Sequence, residues 1–79
     1  MKDTLIAIVS AIVDEPKKVS VTEEEQDGII QFIITVGKED MGKVIGKEGK
    51  VIRSIRNVMK IPAIKENKRI MISLAENPL

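Results

Sequence analysis

Leu5, Ile8, Val9, Ile12 and Val13 recur at three- and four-residue intervals near the start of the chain, the spacing of one face of an α-helix. Asp3 or Thr4 offers a side-chain oxygen for the N-cap, and Pro16 cannot continue the helix. Ile6 and Ala7 widen the apolar stripe, which predicts a helix pinned on more than one side. The period then changes from helical to two. Val19 and Val21 alternate with polar neighbours, as a half-exposed strand does, and Glu23-Glu24-Glu25 suits an edge strand, where charge discourages pairing with other chains. Asp27-Gly28 predicts a type I′ hairpin turn, since both of its central positions need positive φ. Ile29 to Val36 follows as the central strand, with Ile30, Phe32, Ile34 and Val36 on one face and Ile29 and Ile33 on the other. Phe32, the one aromatic residue of the chain, is expected in the core.

Gly37 ends that strand. Lys38-Glu39-Asp40 opens a short second helix whose buried side is read as Met41, Val44 and Ile45. A third helix is expected from about Lys50 to Lys60, with Val51, Ile52, Ile55, Val58 and Met59 on its apolar face and Arg53, Ser54, Arg56 and Asn57 exposed. Pro62 is expected to break it. Asn67 and Lys68 mark a turn, and Arg69 to Leu74 reads as a last strand with Ile70, Ile72 and Leu74 inward, before a short tail from Glu76 to Leu79. The order is α-β-β-α-α-β. A right-handed helical crossover returns the last strand parallel to the central one, with the hairpin partner on the other edge. The expectation is one α+β domain over residues 1–79, a three-stranded mixed sheet with its helices packed on one face.

Composition sharpens this picture more by absence than by total. The chain has 79 residues, 43% of them hydrophobic, which supports a packed globule. It contains no cysteine and no histidine, so there is no disulfide, no thiolate metal site and no imidazole base. Leu5 to Val13, the longest apolar run, is about half of the roughly 20 residues that span a bilayer. Asp3 and the shortness of the segment also argue against a secretory signal around Val9-Ser10-Ala11. A cytoplasmic location without membrane attachment is expected. The net charge is only +1, but it is unevenly distributed. Lys43, Lys47, Lys50, Arg53, Arg56 and Lys60 stand against a single acid, Glu48, in the same stretch, whereas Glu23 to Glu25 is acidic.

The basic stretch surrounds Gly46-Lys47-Glu48-Gly49, at the junction of the second and third helices. Glycines permit left-handed torsions and close approach of a ligand backbone, and a helix beginning there offers N–H groups to an anion. A plain helix-turn-helix loop needs only one glycine and leaves the crowd of Lys43, Lys47, Lys50 and Arg53 unexplained. Arg56 and Lys60 are read as a solvated helix face, and Gly42 as a site of close helix packing. Gly37 to Val44 has the glycine spacing of a P-loop, but Val44 replaces the hydroxyl residue that holds magnesium, and Glu39 and Asp40 repel phosphates. Ser10, Ser20, Ser54 and Ser73 have no histidine to activate them. The reading is a binding protein rather than an enzyme, with no cofactor, metal or small-molecule substrate.

Val44-Ile45-Gly46-Lys47-Glu48-Gly49-Lys50-Val51-Ile52, in this element order, resembles the KH domain in its type II arrangement. A bare G-x-x-G is common, whereas the motif flanked by two apolar pairs at this point in the chain is far more specific. The opening Leu5-Ile6-x-Ile8-Val9 and the run from Lys38 to Gly49 are similar to the small bacterial single-KH family (KhpA, YlqC-like). The resemblance implies that the loop clamps the backbone of about four nucleotides of single-stranded RNA. On this chain it implies that Gly46 and Gly49 allow close approach, Lys47 meets phosphate, and Lys50 and Arg53 extend the basic rim. Val44, Ile45 and Ile52 would floor an apolar groove. Glu48 departs from the family's usual polar or basic residue, and a carboxylate there repels phosphate unless it points away or pairs with Lys47 or Lys50. The resemblance also implies RNA chaperone activity, a link to cell shape and cell-wall biogenesis, and either a homodimer or a heterodimer with a larger KH partner (KhpB, Jag-like). Ile61, Ala63 and Ile64 are candidates for such an interface. The alternative is a protein-interaction adaptor that keeps the KH fold with little RNA affinity.

Overall fold

The structure is a computed structural model and describes residues 1–75, so the tail read at Glu76 to Leu79 lies outside the described residues. Helix α1 spans Lys2–Ile12, strands β1 and β2 span Ser20–Gln26 and Ile29–Thr35, helices α2 and α3 span Met41–Ile45 and Lys50–Lys65, and strand β3 spans Arg69–Leu74. Short 3-10 turns at Pro16–Lys18, Lys38–Asp40 and Lys47–Gly49 join them. The order is therefore the expected α-β-β-α-α-β. Asp27 and Gly28 both adopt positive φ (55° and 78°), so the hairpin turn forms as its dipeptide dictates.

The sheet order is β1-β2-β3, with β1 antiparallel and β3 parallel to β2. Central β2 alternates as the pattern requires: Ile30, Phe32 and Ile34 are buried, while Ile29, Gln31 and Ile33 are half-buried. Leu5 and Val9 of α1, Val44 of α2, and Ile52, Ile55 and Met59 of α3 close over that face with Val21, Val36 and Ile72. Ile70 and Leu74 pack against the same core from β3. Glu23, Glu24 and Glu25 are exposed along the outer strand, the charged edge that the sequence predicts.

Five details differ from the sequence reading. Helix α1 begins at Lys2 behind Met1 and has no side-chain cap, and Ala7 faces solvent. Ile45 and Val58, both assigned to apolar faces, are 39% and 48% exposed. Gly42 has open space where a Cβ would be, so close packing does not explain it. The largest difference is at Pro62, which lies inside α3 rather than at its end.

Helix α3 stops where Asn67 takes φ 56°. Asn67 N–H donates to the Ile64 carbonyl (3.0 Å) and Lys68 N–H to the Ala63 carbonyl (2.8 Å). This bonding pair satisfies the last carbonyls of a helix through a left-handed residue. Pro62 removes the donor that would reach back to the carbonyl of exposed Val58 and sets its ring against that carbonyl, and the helix bears both. Met59 and Ala63 on either side of it are buried and hold the final turns against the sheet.

Candidate nucleic-acid interface

The G-x-x-G segment forms a tight turn between α2 and α3. Three of its four residues take positive φ: Gly46 at 75°, Glu48 at 56° and Gly49 at 75°. The two glycines serve different ends. A Cβ on Gly46 would lie 2.8 Å from both Cβ and N of Val51, so this position must lack a side chain for α3 to begin where it does. A Cβ on Gly49 would meet nothing within 4 Å. Gly49 is thus a conformational glycine with open space above it, into which a ligand backbone could come.

Packing beneath the loop fixes it. Val44 on one side and Ile52 on the other are core residues, so they anchor the turn from below, and Ile45 is the apolar neighbour of the loop that reaches the surface. Arg53 braces the turn from α3: its Nη2 donates to the Glu48 carbonyl (2.8 Å) and its Nε to the Gly49 carbonyl (3.3 Å). Ser54 donates to the Lys50 carbonyl at 2.9 Å. Lys47, Glu48 and Lys50 are exposed around the turn. The loop therefore presents two ammonium groups and one carboxylate at the start of α3, where the Lys50 amide already donates to the Lys47 carbonyl.

Lys43 does not join them. Its ammonium pairs with Asp14 and lies 3.8 Å from Asp40, on the far side of α2 from the role read in the sequence. The hydrogen bond to Asp14 raises its pKa above the ordinary lysine value, and desolvation works against that rise. Asp40 is the organising residue there. Only 3% exposed, it accepts N–H bonds from Asp14 and Glu15, both at 3.1 Å. The bond from the Asp14 amide is the main reason its carboxyl sits below the usual carboxylate range; desolvation opposes this, and the Glu15 amide and Lys43 reinforce it. This clamp ties the start of α2 to the connector after α1.

A second feature extends from the loop along α3. A groove of about 250 Å³ lies between α3 and β3, lined by Arg56, Lys60, Ile70, Met71 and Ile72. Arg56 Nε donates to the Ile72 carbonyl at 3.1 Å across it. Arg56 and Lys60 are exposed, as the sequence reading has them, and they also wall this groove. A signal was present: Arg53, Arg56 and Lys60 fall at i, i+3 and i+7, one stripe of a helix, and that stripe begins at the loop. On the outer side of α3, Ile61 and Ile64 are 59% and 75% exposed and lie near Val58, whereas Ala63 is buried.

Among the described residues, no helix is long and apolar enough to cross a membrane. Comparison with known proteins agrees with the geometry. The family description "KhpA/KhpB, KH domain" matches residues 2–74. The chain is 43% identical over 74 residues to RNA-binding protein KhpA of Clostridium acetobutylicum, covering 94% of this chain and 99% of that one. It is 37% identical over 76 residues to RNA-binding protein KhpA of Listeria monocytogenes, covering 96% and 100%. Against RNA-binding protein KhpA of Chlamydia caviae the figures are 36% over 77 residues, 98% and 99%.

Proposed function

The chain belongs to the KhpA/KhpB family of KH domains, and we propose that it binds single-stranded RNA, its phosphates at the Gly46–Gly49 loop and its bases along the groove beside α3. The observation that carries the reading is the loop itself: open space above Gly49, with Lys47 and Lys50 exposed beside it, at the start of a long helix. The relatives' name, RNA-binding protein KhpA, supports the same ligand. In this reading Lys47 and Lys50 contact phosphate, Arg53 keeps the turn in shape, and Val44 and Ile52 support it from the core. Ile45 offers apolar contact at the edge. The work is binding, in the cytoplasm, with no covalent chemistry.

Affinity for one domain is modest. Phe32 is wholly buried, so no aromatic is available for base stacking, which contributes roughly 1–3 kcal/mol per base elsewhere. Glu48 subtracts further. Two loops in one assembly recover affinity through avidity, and the stripe of Val58, Ile61 and Ile64 is the surface through which a second copy, or a KhpB-type partner, docks. Such an assembly acts as an RNA chaperone and post-transcriptional regulator.

The test is Lys47→Asp. It should abolish binding of a short unpaired RNA while leaving the circular-dichroism spectrum unchanged. With two or three phosphates engaged, log affinity should fall against log salt with a slope of about −0.7 per contact. Normal RNA binding by the variant, or binding indifferent to salt, leaves the adaptor reading in its place, and crosslinking of RNA to the protein in cells separates the two directly.

A further inference from the structure

The groove beside β3 carries information about which base it accepts, given the preceding reading that an unpaired RNA runs from the loop along α3. Strand β3 is an edge strand. In a parallel ladder both backbone groups of one residue point to the same side, and successive residues alternate. Ala75 N–H donates to the Ile34 carbonyl at 2.8 Å, so Met71, Ser73 and Ala75 face β2. Ile70 and Ile72 therefore turn their N–H and C=O groups outward, to the groove.

One outward residue by itself offers one donor and one acceptor, which suits adenine, whose N1 accepts and whose N6 amino group donates. Arg56 changes that pattern at Ile72. Its Nε occupies the Ile72 carbonyl, and a guanidinium has donors only. The four N–H groups of its Nη atoms are left for another partner, beside the Ile72 N–H and the Lys60 ammonium that line the same groove. The middle of the groove thus donates from several directions, while the other outward carbonyl of its lining is at Ile70. At about 250 Å³, the space is below the roughly 300–1,000 Å³ of sites for drug-sized ligands and suits a single small ring.

We propose that Arg56 is the specificity-determining residue of this groove, selecting a base with two adjacent acceptors, as cytosine has at O2 and N3 and guanine at O6 and N7, against adenine. Adenine would bring its amino group to a cation that is itself a donor.

The experiment compares the RNA pentamers A-A-C-A-A and A-A-A-A-A by fluorescence anisotropy at low salt, on the full chain, with Arg56→Ala, Arg56→Lys and Lys47→Asp alongside. The native chain should prefer the cytosine pentamer by roughly tenfold, the scale of one good side-chain pair to a base edge. Arg56→Ala should remove most of that preference by weakening the cytosine complex while sparing or improving the adenine one. Arg56→Lys keeps the charge without the fork, so it should also lose the preference, and it stands in if the alanine variant does not fold. Equal binding of both pentamers by the native chain overturns the proposal. So does an equal loss for both in the Arg56 variants, which marks a plain charge contact. Lys47→Asp should lose both pentamers together; if it loses neither, the loop reading fails, while the comparison between pentamers still tests Arg56.

Discussion

At the residue scale, the two loop glycines are not equivalent. Gly46 combines positive φ with the close approach of Val51, so Gly46→Ala should destabilise by roughly 2–5 kcal/mol, the sum of left-handed strain and overpacking. Gly49 has the torsion without the crowding, and Gly49→Ala should cost only about 1–2 kcal/mol. Chemical denaturation of both variants checks the ranking; equal losses would show that Val51 moves aside. Asp40 gives a pH dependence of definite sign. Its folded-state pKa is lowered, so its contribution is fully present above the ordinary carboxylate value and is lost as pH falls through the lower folded value. Melting temperatures of the native chain and Asp40→Asn, followed through the acid range, should converge as pH falls. A gap that stays constant to the lowest pH would mean that the amide bonds to Asp14 and Glu15 do not discriminate carboxylate from carboxyl.

At the element scale, α3 is the part that joins everything: its start forms the loop, its inner face the core, one flank the groove and the other the exposed Val58-Ile61-Ile64 stripe. Its end is set by Asn67, not by the proline. Pro62→Ala restores one hydrogen bond and relieves the ring's contact with the Val58 carbonyl, against more freedom in the unfolded chain, so stability should rise by about 1–2 kcal/mol. Asn67→Val places a β-branched residue in a left-handed torsion and should cost about 1–2 kcal/mol. Amide exchange across residues 59–68 reads both outcomes, and new helical protection beyond Lys65 in Pro62→Ala, with Asn67 kept, would return Pro62 to the role of terminator.

At the scale of the whole molecule, the charges separate along α3, which at 16 residues is about 24 Å long. The loop with Lys47 and Lys50 sits at one end, and the hairpin with Glu25, which reaches Lys68 at 3.5 Å, at the other. The net charge is near zero because acids and bases balance at the hairpin end, while the loop end keeps Lys47 and Lys50 exposed for an anionic ligand. The apolar stripe stands apart from the groove lining, so assembly and RNA contact should separate by mutation. Ile61→Asp should reduce the assembly to single chains in sedimentation without lowering the melting temperature of the fold, and it should weaken RNA binding only through lost avidity. An unchanged sedimentation profile would remove the stripe from the interface.

How much of this was legible without coordinates follows from the range of the interactions concerned. Element order, strand pairing, the hairpin at Asp27-Gly28, the burial of Phe32 and the turn at Gly46–Gly49 rest on periodicity and on torsional preferences of adjacent residues, which the chain carries locally. Lys43 looked like part of the basic cluster because it is three residues from Gly46, but its partner, Asp14, is 29 residues away. Arg56 looked idle because the carbonyl that it meets lies 16 residues further on. Pro62 looked like a stop because sequence cannot weigh one lost hydrogen bond against the burial of Met59 and Ala63. The sequence by itself determined which elements form and where the loop falls. Only the tertiary structure decided which cations remain available to a ligand, since that depends on which carboxylates and carbonyls distant segments bring within reach.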